Sequence, residues 1–162
     1  MDDQKFRDAM STFASGVTVI GLRDMEGRFR GITVSAFSSV SMTPPMVLVC
    51  ISRASACNAE LATGVYFGVS ILSAEQAELA KHFAKSSGSK FGDVPFRFGR
   101  TSVPLLNDAT TQLECVVRQR IEAGDHIVVL GEVIAAEVTD APPLVYAQRN
   151  FHKIGTDCSR AA

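Results

Sequence analysis

Tryptophan is absent from this chain of 162 residues and only two tyrosines occur, so an aromatic platform for nucleic-acid bases has little to be built from. No lysine- or arginine-rich block interrupts a formal net charge of −1, and no nucleic-acid partner is expected. Four cysteines, Cys50, Cys57, Cys115 and Cys158, show neither Cys-x-x-Cys pairing nor metal-ligand spacing, so no metal site is expected. No apolar run approaches membrane-spanning length and no charged-then-apolar leader opens the chain. A cytoplasmic protein with reduced thiols and no membrane partner is the expectation. A Gly-x-Gly-x-x-Gly loop and a Gly-x-Ser-x-Gly elbow are also missing, which argues against a doubly wound dinucleotide fold and a serine-nucleophile triad.

What is present suits one core. A hydrophobic fraction of 46% against 20% charged residues is ordinary for a globular chain, and residues 1–162 read as a single domain with 1–5 and 156–162 frayed. Phe6, Ala9, Met10 and Phe13 share one helical face after a capping Asp2 or Asp3, and Gly16 ends that helix. Residues 17–22 are β-rich, and the turn at 24–27 predicts an antiparallel return strand running on through 33–41. Pro44 and Pro45 are expected to stop the ladder, 46–51 to be a strand buried on both faces, and Ser55 to cap a short helix reaching Ala62. Residues 65–71 form another strand, and Ser73-Ala74-Glu75-Gln76 is a capping box opening a helix to His82 or Ala84. Residues 111–121 and 126–138 make a hairpin, 144–146 a short strand, and 85–101 a structureless or mobile connection. Six or seven strands with short helices make a mainly antiparallel β-barrel the economical architecture.

The stretch from Gly31 to Ser55 carries the most chemistry. Its small, hydroxylated run lets a planar ligand approach the backbone, and Ser52-Arg53-Ala54-Ser55 supplies hydroxyls and a cation suited to phosphate. The competing reading is an ordinary strand with Ser and Thr on its exposed face. His82 closes a helix, where a positive charge is favourable without further purpose. Gly124-Asp125 is accounted for by a turn, whereas His126 is not.

In the order Phe6–Met10, Gly16–Val19, Gly31–Phe37, Ser39–Ser41, Pro44-Pro45, Val49–Ile51, Phe83-Ala84, Lys90-Phe91, Leu113–Cys115, Gly124–His126 and Gly131–Val133, the chain resembles the short-chain flavin reductases. These are the reductase components of two-component flavin-dependent monooxygenases, and the resemblance covers about 6–154. It implies an antiparallel Greek-key split β-barrel with a few flanking helices, and an NAD(P)H:flavin oxidoreductase acting on FMN or FAD with NADH or NADPH as hydride donor. It further implies a homodimer that passes reduced flavin by diffusion to a separate oxygenase. By the same resemblance the flavin lies along Thr33, Val34, Ser35 and Ala36, with Ser39 in the same run. Ser52, Arg53, Ala54 and Ser55 lead toward its phosphate, Phe83 and Ala84 line it, and Lys90 adds charge. His126 stands near the nicotinamide as the catalytic candidate, and Tyr146 and Arg149 border the nicotinamide nucleotide. Asn150-Phe151-His152 replaces the commoner Arg-Arg-Tyr or Arg-Arg-Phe, and Ser70 an asparagine, so the nucleotide preference stays open. Other readings are an enzyme that keeps its flavin and reduces another acceptor, a non-catalytic flavin- or haem-binding split-barrel module, and a ligand-free dimerisation domain.

Overall fold

The computed structural model describes residues 2–85 and 90–155. In chain order these form α1 (Asp3–Ser11), β1 (Ser15–Gly16), β2 (Thr18–Arg23), β3 (Phe29–Val34), β4 (Phe37–Met42), β5 (Pro45–Ser52) and β6 (Tyr66–Ile71). There follow α2 (Ala77–Ala84), β7 (Phe96–Phe98), β8 (Pro104–Leu106), β9 (Thr111–Ala123), β10 (His126–Val138), β11 (Leu144–Ala147) and β12 (Asn150–Lys153).

Seven strands make one antiparallel sheet in the order β3-β2-β6-β9-β10-β5-β4. Its two edges, β3 and β4, are consecutive in the chain, separated only by Ser35 and Ala36. Laid flat, six inter-strand spacings would hold those edges roughly 29 Å apart. The chain from Val34 to Phe37 reaches about 11 Å at most. The sheet must therefore curl until its edges meet, and it does so as a barrel with an open seam beside Ser35 and Ala36. The Cys50 N–H donates to Ala36 O at 2.9 Å, pinning the link against β5. What the sequence suggested as one strand over 33–41 is thus two strands on opposite edges. The small side chains of Ser35 and Ala36 permit the corner between them.

Inside the barrel, Ile20, Leu22, Val49, Ile51, Phe67, Cys115, Val117 and Val129 form the main core. Strand β5 alternates: Val47, Val49 and Ile51 point inward, while Leu48 and Cys50 are half-buried on the outer face. It is β2 that is buried on both faces, because Val17 and Val19 look outward into a second core with Phe83, Phe91, Leu106 and Leu144. Pro45 does not end the ladder; it opens β5 opposite Met42, a first-strand position where a missing N–H costs nothing.

Helix α2 starts at Ala77, so the residues expected as a capping box precede it as a turn, in which Gln76 Oε1 accepts from the Ser73 N–H at 3.0 Å and no side chain caps the helix. No helix forms over 55–62, where Ser55 only closes single turns through Cys57 N (3.2 Å) and Asn58 N (3.0 Å). Residues 3–5, expected to fray, belong to α1, whose first turn is capped by Asp2 through Gln4 N at 3.2 Å; 156–162 lie outside the described residues. The connection expected to be structureless holds β7, which pairs with β8 beyond it, and Phe91 packs edge-on to Phe83 with ring centroids 5.0 Å apart. Residues 86–89 of it lie outside the described residues. The terminal segment adds β12, which pairs with β11 through a turn in which Gln148 and Arg149 take φ of 48° and 63°. Among the described residues no helix is long and apolar enough to cross a membrane.

Candidate active site

A cavity of about 370 Å³ opens along the seam. One wall is the first part of β3, Phe29 to Ile32. The other is the tip that follows β5, where Ser52, Ala54, Ser55, Ala56 and Cys57 line it; Ala84, Lys85 and Lys90 close the end. The tip is fixed by its own turns, with Ser52 Oγ accepting from Ala54 N at 3.3 Å and Arg53 N donating to Asp125 O at 2.9 Å. The Ala56 N–H has no acceptor among the described residues. Among the described residues three cations line this cavity and no carboxylate does, so its chemistry favours an anion.

Lys90 reaches back to the barrel. Its Nζ donates to Gly31 O at 3.0 Å and to Phe83 O at 2.9 Å, leaving one proton for a ligand. His82 donates from Nε2 to Lys90 O at 2.9 Å, holding the loop in place. Burial lowers the Lys90 pKa from its ordinary value. Burial also pushes the Cys57 thiol up, partly offset by Lys90, so this lining sulfur stays protonated. Gly31 is obligatory here: a Cβ would come 2.6 Å from the Phe83 ring and 2.9 Å from that of Phe91.

A second cavity, about 430 Å³, lies at the other end of the seam between α1 and the barrel. Ser35, Ala36, Phe37 and Cys50 form its floor, and Met10, Phe13 and Tyr146 its rim. Tyr146 is placed by β11, which pairs with β1 at Ser15.

The structure sorts the sequence candidates. Ser52, Ala54, Ser55, Ala84 and Lys90 meet in the first cavity; Ser35, Ala36 and Tyr146 meet in the second. Thr33 spends its hydroxyl on Ala80 O at 2.7 Å, and Val34 and Phe83 are buried core. Arg53 turns away to Glu122, 2.7 Å distant. Ser39 is exposed on β4 and lines neither cavity, and Arg149 pairs with Asp8 at 2.5 Å. His126 opens β10 directly across from Ser52, and its Nδ1 lies 2.8 Å from Asp125 Oδ1. That hydrogen bond lowers the Asp125 pKa.

Sequence reasoning missed Phe29, Arg30 and Lys85. An aromatic and a cation just before Gly31 were a usable signal, since β3 continues straight into the hydroxylated run. Fixed turns, a free N–H, hydroxyls and cations without carboxylates fit the phosphate end of a flavin nucleotide. Ala54, Ala56, Ala84 and Gly31 keep the walls low enough for it.

Fold and site together define a split antiparallel barrel with an anion-accepting cleft at its seam. Residues 10–155 match the family described as flavin reductase like domain, and the chain belongs to that family. It is 40% identical over 152 residues to the NADH:riboflavin 5'-phosphate oxidoreductase of Streptomyces pristinaespiralis, covering 92% of this chain and 86% of that one. It is 36% identical over 151 residues to the reductase component of a Rhodococcus opacus 4-nitrophenol 4-monooxygenase/4-nitrocatechol 2-monooxygenase, covering 93% and 80%. A longer relative, a probable flavin reductase of Rhizobium meliloti, is 35% identical over 150 residues, which are 93% of this chain and 48% of that protein. Among solved structures, the Streptomyces globisporus C-1027 NADH:FAD oxidoreductase in complex with NAD and FAD fragments superposes with a TM-score of 0.92 at 33% identity, covering 98% of this chain and 96% of that one.

Proposed function

We propose that this protein is an NAD(P)H:flavin oxidoreductase that reduces FMN or FAD and supplies reduced flavin to a separate monooxygenase. The observation that carries this is the cation-lined, carboxylate-free cleft along the seam of a flavin-reductase barrel. Flavin bound there supplies the hydride acceptor. The chain's own residues bind and orient. Ser52, Ser55 and the Ala56 N–H hold the phosphate end, Lys90 contributes charge there, and Thr33 to Ala36 give the ring a backbone to rest on. His126 positions the nicotinamide carboxamide, with Asp125 fixing the imidazole through Nδ1. Tyr146 borders the nicotinamide nucleotide from the second cavity, and Arg149 is delivered beside it by the β11–β12 turn.

The described residues act as one flavin-binding unit that works as a homodimer in the cytoplasm. Supporting the dimer, α1 buries none of its residues here, and Phe6 and Met10 on its apolar face and Phe13 just beyond its end are 55%, 50% and 70% exposed. Supporting a reducing compartment, Cys50, Cys57 and Cys115 are free thiols. Steady-state kinetics with FMN and FAD, each crossed with NADH and NADPH, test the activity. Nucleotide oxidation that saturates in added flavin is expected. Oxidation indifferent to added flavin, or none at all, defeats the reading.

A further inference from the structure

Asp24 follows β2 and its side chain has no exposure, yet its carboxylate meets two arginines. Oδ1 accepts from the Arg28 N–H at 2.8 Å; Oδ2 accepts from Arg28 Nε at 2.9 Å and from Arg30 Nε at 3.0 Å. Only Nε of Arg30 is engaged. Among the described residues its two Nη groups have no acceptor, and the side chain lines the seam cavity with 37% of its surface exposed. Asp24 therefore grips one edge of the guanidinium and leaves the other as a fixed fork, the geometry that binds a phosphate bidentately.

Position along β3 says which phosphate. At about 3.4 Å per residue, Arg30 lies roughly 17 Å along the chain from Ser35, where the ring end of the cleft begins. A ribityl chain ending in one phosphate spans roughly 9 Å, for seven single bonds of about 1.5 Å in zigzag. Lys90, bonded to Gly31 O, suits that first phosphate, and Arg30 stands one residue further out. Beside Arg30 is Phe29, which lines the same cavity and whose ring lies 5.4 Å from that of Phe98. A flat heterocycle has an aromatic surface to lie against there. FMN carries neither a second phosphate nor an adenine to meet them.

We propose that Arg30, aimed by Asp24, reads the second phosphate of FAD, with Phe29 beside the adenine, so that the cleft holds FAD more tightly than FMN. This rests on the reading of the cavity as a flavin site. Isothermal titration of riboflavin, FMN and FAD into the full chain tests it, with Arg30→Gln, Arg30→Lys and Asp24→Asn alongside. In the unmodified protein, Kd for FAD is expected to be about tenfold or more below that for FMN, the scale of one charge-assisted fork. Arg30→Gln is expected to raise Kd for FAD about tenfold and that for FMN less than twofold. Arg30→Lys, which keeps the charge and loses the fork, falls between. Asp24→Asn shifts the FAD-to-FMN ratio in the same direction; if it fails to fold, the two Arg30 variants decide alone. Equal affinity for FMN and FAD in the unmodified protein overturns the proposal. So does an equal loss for FMN and FAD in Arg30→Gln, or no loss. Failure of the unmodified protein to bind any flavin would instead defeat the functional reading itself.

Discussion

His126 faces Ser52 directly across the β10–β5 ladder, so the histidine expected beside the nicotinamide and a serine lining the seam cavity share one register position. The Arg53 N–H bond to Asp125 O, 2.9 Å, ties the two turns together. A backbone ladder holds this relationship, and substitutions of either side chain leave it intact.

Replacing His126 by Ala is therefore expected to raise KM for NADH about tenfold while the flavin Kd changes less than twofold, the scale of one positioning hydrogen bond. Titration of flavin and steady-state kinetics on the same preparation separate the two. An unchanged KM removes His126 from the nucleotide site.

Lys90→Met removes both the donor to the Phe83 carbonyl near the end of α2 and a cation of the cleft. FMN should bind about tenfold more weakly, whereas riboflavin, lacking phosphate, should bind nearly as before. Equal weakening of both would make Lys90 a structural tie and no more.

Acid stability should depend on Asp24. Burial alone would raise its pKa, but hydrogen bonds from the Arg28 side chain and backbone and from Arg30 hold it at about 2, against an ordinary 3.8. A depressed carboxylate stabilises the fold above its unfolded pKa, and that contribution is lost as pH falls from about 4 toward 2. Thermal melts across that window should fall more steeply for the unmodified protein than for Asp24→Asn, which has no charge to lose. Parallel curves would refute the linkage.

Gly31→Ala drives a methyl into the Phe83 and Phe91 rings, both locked in the second core. A loss of about 1–3 kcal/mol is expected from such overpacking, seen as a lower urea midpoint at unchanged slope. No loss would mean that the rings yield.

Much of the barrel was legible in the sequence. The β9–β10 hairpin, β2 and β6 announced themselves by β-branched runs between turn residues, and α2 by its stretch to Ala84, although it starts only after the residues read as a capping box. The barrel's closure was not, because periodicity reports which face a residue takes and not which edge its strand joins. Thus 33–41 read as one strand, although Ser35 and Ala36 turn it from one sheet edge to the other. Residues 55–62 read as a helix because Ser55 is a good cap, and the tip closed into single turns instead. Ser52, Ala54 and Ser55, read from the chemistry of the tip, and Lys90, taken from the family resemblance, all line the seam cavity. Arg30 was missed because its partner Asp24 sat in a stretch read only as a turn, and Arg53 was drawn off by Glu122 on the neighbouring hairpin, a pairing no local pattern reveals.

The two-residue bridge at Ser35 and Ala36 also bears on turnover. Since peptide bonds, and not a ladder of N–H to C=O contacts, join the two margins of the cylinder, no strand pair would have to part for the gap between them to change width. In the proposed reaction that latitude suits a site that must let go of the flavin it has just reduced.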